Sequence, residues 1–260
     1  DRSEGDGFRL FNEFERGEND PFDVMLKLSF ATAFREHPYH HPTIGWRSDI
    51  ENASIERLRE FYDTFYRPDN ATLILVGSLE RSTVLAAVER HFGALPASVK
   101  RVPGMLLKEP QPEGERRFVV RRSAELGWVA CSWRVPEAGH SDTHALSVLA
   151  DILSGGVTSR LYQRLVETGK CVDAQAIAWQ LRDPGLFQAL ATLNGDTAHD
   201  EVEKVIRAEL VSIARDGVTP DELERAIAQV EAQVAYHRDS PAQVAAALAE
   251  AVSCADWRFY

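Results

Sequence analysis

The sequence predicts an α+β protein, a mainly antiparallel sheet with helices packed on one face. Three observations lead there. Most of the chain reads as amphipathic helix with clear start signals. The strand-like runs are short and cluster around residues 115–134 and 172–193, and Asp183-Pro184-Gly185 supplies a hairpin turn between two of them. Helical segments bracket those runs on both sides, the pattern of helices segregated to one face of an antiparallel sheet.

In chain order, residues 3–19 form a helix with Leu10, Phe11 and Phe14 among its apolar positions. Asp20-Pro21 is an N-cap and first-turn pair for a second helix running to about Phe34. Residues 37–49 form a loop punctuated by Pro38, Pro42 and Gly45. Ser54 caps a helix whose apolar stripe is Ile55, Leu58, Phe61, Tyr62 and Phe65. The apolar run 71–76 is expected as a buried strand, and a helix over 82–92 stops at Gly93. Residues 96–114 carry four prolines and two glycines and are read as an interdomain linker. Strands follow at 115–122 and 126–134, helices at 141–153 and 158–167, strands at 172–182 and 186–193, and helices at 199–215, 220–238 and 241–253. The domain organisation is therefore residues 1–95, the linker 96–114, and residues 115–260.

Composition excludes several functions. The net charge of −11 argues against a dedicated nucleic-acid binder or a protein drawn to anionic membranes. No apolar run approaches the roughly 18–20 residues of a membrane span, so the chain is expected to be soluble, periplasmic or cytoplasmic. The N-terminal Asp1-Arg2-Ser3-Glu4 has no signal-peptide character. Three widely spaced cysteines, Cys131, Cys171 and Cys254, form neither a disulfide framework nor a zinc site, and are read as free thiols.

The two ends of the chain echo each other. Phe8 to Phe34 reads helix, Asp-Pro, helix; Ala228 to Cys254 reads helix, Ser-Pro, helix. Aligning Pro21 with Pro241 gives an offset of 220 residues and suggests tandem copies of one domain.

Two segments carry a resemblance. One is the acidic helix Asn12-Glu13-Phe14-Glu15-Arg16-Gly17-Glu18-Asn19-Asp20-Pro21. The other is HPYHHPTIGWRSDIENASIERLREFYDTFYRPDNATLILVG, residues 37–77. Together they resemble the pitrilysin/insulinase family of zinc metallopeptidases, with looser similarity through residue 260. The resemblance implies tandem homologous metallopeptidase-like domains. The first would be truncated to the C-terminal half of a catalytic domain, and the second would be metal-free and cut short at its C-terminus. It implies an endopeptidase that hydrolyses peptides or proteins with a zinc-activated water, held by a helical H-x-x-E-H and a glutamate about 76 residues further on. No H-x-x-E-H occurs in this sequence.

On this alignment Glu13 is the distal zinc ligand, with Glu15 the neighbouring register. Asp6, two turns earlier on the same face, is an acid that supports the site. The competing reading makes Glu13 a surface acid paired with Arg9 or Arg16. The offset carries Glu13 to Gln233 and the first ligand region to Val157, neither of which suits zinc, so the second copy is expected to be metal-free. Zinc is expected in the intact protein and none at a catalytic site in this chain alone, which is expected to be inactive. His140 and His144 lack the intervening acid and read as a helix-start arrangement; His37, His40 and His41 read as structural. Arg160, in Ser159-Arg160-Leu161-Tyr162, either meets a neighbouring acid or a peptide chain, or sits in plain helix packing. Expected partners are a peptide or protein substrate, the missing N-terminal half of the catalytic domain, and a second copy in a homo-oligomer. The alternative is a non-catalytic homologue serving as an assembly subunit or peptide-binding module.

Overall fold

The computed structural model describes residues 2–97, 101–104 and 106–260, with side chains from Leu10 onward. Asp6's side chain and linker positions 98–100 and 105 therefore lie outside the described residues.

The N-terminal half is helical. Helix α1 (Arg2–Asn19) breaks at Asp20, whose carboxylate accepts the N–H groups of Phe22 at 2.8 Å and Asp23 at 3.2 Å and so starts α2 (Pro21–Ala33). The proline at the first position of α2 gives up only an N–H that the helix would leave unpaired anyway. Phe14, Val24, Met25 and Phe34 are buried where α1, α2 and the following corner meet. A 3-10 turn (Pro38–His40) and a short α3 (Arg47–Glu51) fill the proline-rich loop. Then come α4 (Ile55–Phe65), capped by Ser54, and α5 (Arg81–Phe92), capped by the Glu80 carboxylate.

Two expected strands are absent. Residues 71–76 form no strand, and Leu73 and Leu75 are 53% and 50% exposed rather than buried. The apolar faces of α4 and α5 share this fate, with Leu58, Phe61 and Leu85 all more than half exposed. The apolar pattern is that of a core strand, but among the described residues no neighbouring strand is present to complete its ladder. Residues 115–122 likewise form no strand. Arginine side chains hold that segment instead. Arg116 donates to the carbonyls of Thr32 and Ala33, Arg117 pairs with Glu203, and Arg122 pairs with Glu18.

The C-terminal half carries the sheet. Strands β1 (Trp128–Val135), β2 (Cys171–Ala178) and β3 (Gly185–Leu193) lie in the order β1-β3-β2, all antiparallel. Helix α6 (Thr143–Ser154) and a π-helical turn (Tyr162–Val166) connect β1 to β2. Helices α7 (His199–Asp216), α8 (Pro220–Arg238) and α9 (Pro241–Cys254) follow, and a 3-10 turn (Trp257–Phe259) ends the chain. The β2–β3 hairpin closes tightly: a Cβ on Gly185 would stand 2.4 Å from the Trp179 carbonyl, so only glycine fits there.

Every residue of β3 is buried, which identifies a strand covered on both faces. Phe187, Ala189, Ala191 and Leu193 join Leu153 of α6, Leu161, Leu165, and Val202 and Ile206 of α7 in the main core. Leu186, Gln188, Leu190 and Thr192 point the other way, alongside Ser132 and Trp128 of β1. Gln188 is fully buried there and satisfied: its amide donates to Ser132 and its carbonyl accepts from the Trp179 indole. Helix α2 packs against β1 on this side, with the Phe22 and Trp128 rings 6.3 Å apart.

The repeat seen in the sequence has a structural counterpart. Each end of the chain shows two helices broken at a proline, then a 3-10 turn, Pro38–His40 in the first case and Trp257–Phe259 in the second.

Candidate metal-ligating helix and the cleft beside it

On α1 successive residues turn by about 100°, so Glu13 and Glu15 diverge on either side of Phe14. Phe14 points inward and is buried; both glutamates are exposed. Glu13 shares its stripe with Leu10, also exposed, and Gly17, whose absent side chain leaves that face low. Glu13 makes no ion pair with Arg16 or with any other residue whose side chain is described; the Arg9 side chain lies outside the described residues.

Glu15 lies on the other side. It lines an open cleft of about 580 Å³ between α1, α2 and α3. The cleft wall is aromatic: the Lys27 ammonium stands 5.7 Å from the Phe14 ring centre and 5.5 Å from that of Trp46. Lys27 also pairs with Glu18, which in turn accepts from Arg122. Burial lowers the Lys27 pKa below its ordinary value, and the nearby Arg122 charge adds to that. The cleft thus gathers Glu15, Glu18, Lys27 and Arg47, and it excludes Glu13.

Zinc needs three protein ligands, and the described side chains do not supply them. Among the described residues no three histidine, cysteine, aspartate or glutamate side chains converge on a point that could hold a metal. One free carboxylate at Glu13 is a single ligand, so no chemical step through a metal follows from this chain alone.

The other sequence candidates resolve individually. Gln233 is exposed on α8 and Val157 is exposed in the loop after α6. Arg160 meets an acid: its guanidinium grips Glu222 with contacts of 2.6 and 2.8 Å and stands 3.9 Å from Glu209. Leu161 beside it is fully buried in the main core. His140 accepts the Asp142 N–H at the start of α6, and His144 stacks on Phe259. His37 caps the 3-10 turn by accepting the Tyr39 N–H, His40 bonds the His37 carbonyl, and His41 pairs with Asp49 at 2.9 Å. All three histidines have local structural work. Cys131 and Cys171 are buried, which pushes both thiols up to about 11.

One residue of evident importance escaped the sequence reading. Glu109, in the presumed linker, has a side chain only 7% exposed. Its carboxylate accepts the backbone N–H groups of Arg35, Glu36 and His37 at 2.8–3.0 Å. Burial alone would raise its pKa, but these three donors and Arg134 at 3.9 Å outweigh that and hold it below the usual carboxylate range. Its backbone partners lie more than 70 residues away, so no local pattern marks it.

Comparison with known proteins agrees with this architecture. The profile of the peptidase M16 inactive domain matches residues 52–230, more than two thirds of the chain. A zinc protease, PqqE, of Helicobacter pylori is 30% identical over 239 residues, covering 90% of this chain and 54% of the relative. The uncharacterized zinc protease YmxG of Bacillus subtilis is 23% identical over 235 residues, covering 89% of this chain and 55% of the relative. The crystal structure of a protease from Helicobacter pylori superposes with a TM-score of 0.91 at 28% identity, over 96% of this chain and 61% of that one. The peptidase M16 inactive domain from Pseudomonas fluorescens shares the fold, with a TM-score of 0.79 at 19% identity, over 98% of this chain and 59% of that one. The chain belongs to the M16 family of zinc peptidases and their inactive domains, the pitrilysin/insulinase family of the sequence resemblance. It spans about half the length of the curated relatives it matches. No helix among the described residues is long and apolar enough to cross a membrane.

Proposed function

We propose that this chain is part of a zinc-dependent endopeptidase that hydrolyses peptides or proteins, and that Glu13 supplies one zinc ligand in the intact protein. In this reading residues 1–95 are the C-terminal half of the catalytic domain, with Asp6 supporting Glu13 from the same helix face. Residues 115–260 are the metal-free homologous domain, joined through 96–114. Family membership supports the class of reaction. The observation that carries the residue assignment is Glu13 itself, an exposed carboxylate with no ion-pair partner among the side chains described.

The uncovered apolar faces of α4, α5 and residues 71–76 fit the same reading, because they are what half a domain core leaves bare. The missing N-terminal half of the catalytic domain is the partner this surface suits. The chain alone is inactive, since one carboxylate does not retain zinc.

The test uses the full-length product of the parent gene, with zinc content measured by elemental analysis and hydrolysis followed on an unstructured peptide. Wild type is expected to hold one zinc per catalytic site and to cleave; Glu13→Gln is expected to lose both. Retention of zinc and activity in Glu13→Gln would sink the assignment. A zinc-free, inactive wild type would favour a non-catalytic assembly subunit.

A further inference from the structure

The corner that follows α2 is the point where the two halves of the chain are locked together. Phe34 and His37 are 2% and 4% exposed, far more buried than a proline-rich loop ordinarily is. Two separate elements of the rest of the chain grip this corner. The Glu109 carboxylate takes its three successive N–H groups, and Arg116 takes the last carbonyls of α2 at Thr32 and Ala33. From the β2–β3 turn, Asp183 donates its N–H to the Tyr39 hydroxyl at 3.1 Å and places its carboxylate 3.5 Å from the His37 ring. The Trp179 ring meets Phe30 edge-on at 6.2 Å. Glu109 also reaches Arg134 of β1 at 3.9 Å.

We propose that residues 109–116 are a strap rather than a flexible tether, and that Glu109 is a positioning residue fixing the angle between the Glu13-bearing half and the sheet of the second half. Helices α1 and α2 pack on each other, so an anchor at the far end of α2 also fixes α1. An isolated linker carboxylate has no reason to be nine-tenths buried. Here it satisfies three N–H groups that the end of α2 and the following turn leave without carbonyl partners. Together Glu109 and Arg116 complete both signs of the α2 terminus, donors and acceptors, from a single eight-residue stretch. The inference draws on the peptidase reading only in giving the fixed orientation a use, to hold Glu13 at a set distance from the second half.

The experiment is done on the 260-residue chain and needs no zinc or activity. Amide exchange is read at Arg35, Glu36 and His37 in wild type, Glu109→Gln and Glu109→Ala. In parallel, spin labels on Asp23→Cys in α2 and Lys204→Cys in α7, in a Cys254→Ser background, report the distance between the halves. Glu109→Gln keeps the size and shape of the side chain and removes the charge. A packing role would leave it like wild type, so it remains informative if the alanine variant does not fold. The expected result is slow exchange at all three amides in wild type, about tenfold or more faster exchange in Glu109→Gln, and a broadened label distance. Wild-type exchange and distance in Glu109→Gln would overturn the proposal. Faster exchange with an unchanged distance would overturn the positioning role, leaving Glu109 as a local cap. Neither result bears on whether Glu13 binds zinc, so this proposal and the peptidase reading can fail separately.

Discussion

Removing Arg160 should cost the C-terminal half about 2 kcal/mol, through a mechanism that pH can switch off. The Arg160 and Glu222 side chains are each 17% exposed and share contacts of 2.6 and 2.8 Å. Breaking a fully buried pair costs about 3–5 kcal/mol and an exposed one about 0–1 kcal/mol. This pair lies between, and Glu222 retains the Thr219 N–H at 2.8 Å after Arg160 is gone, so about 2 kcal/mol is the expected loss in Arg160→Met. The hydrogen bonds from Arg160, against an opposing effect of burial, lower Glu222 from 4.5 to about 2 in the folded chain. The folded state therefore takes up that proton less readily than the unfolded state. The contribution is complete above about pH 4.5 and decays as pH falls towards 2. Urea unfolding of wild type, Arg160→Met, Glu222→Gln and the double variant gives the coupling energy at pH 7 and again near pH 3. A coupling under about 0.5 kcal/mol at pH 7, or one that does not weaken in acid, would refute the reasoning.

Other consequences can be checked alongside. Gly185→Ala should destabilise by about 1–3 kcal/mol, because its Cβ meets the Trp179 carbonyl at 2.4 Å and backbone cannot yield cheaply; thermal melting reads this directly. Ile206→Ala, fully buried in the main core, should cost about 2–5 kcal/mol in urea titration, and a loss under about 1 would mean that α7 packs more loosely than the structure shows. The bare faces around Leu73, Leu75 and Leu85 should make the isolated chain self-associate, and Leu75→Lys should shift sedimentation towards monomer; a wild-type chain that is already monodisperse and monomeric would contradict this. Zinc titrated into the isolated chain should bind no more tightly than to Glu13→Gln, and a high-affinity site lost in that variant would show that this chain carries ligands beyond Glu13.

The helices were legible because their signals are local. Asp20 and Ser54 each sit at the observed start of a helix, and Gly93 at an observed end. The hairpin was legible for the same reason, since Asp183-Pro184-Gly185 sets its own turn. The strands at 71–76 and 115–122 were misread because β-pattern predicts only that a segment can join a ladder, and a ladder needs a neighbour. The π-helical turn at Tyr162–Val166 carried no sequence signal, since a single added backbone residue per turn leaves the apolar spacing nearly helical.

The candidate site divides along the same line. By itself the sequence determined the family, the acidic helix with Glu13, and the break after Asn19 that echoes at Ser240, all of which are written in residues near one another. Tertiary structure alone decided that Glu15 rather than Glu13 lines the cleft, that Arg160 faces Glu222, and that Glu109 closes the end of α2 from 72 to 74 residues away. A carboxylate's role depends on which donors surround it, and donors brought together by folding leave no trace in the spacing of the chain.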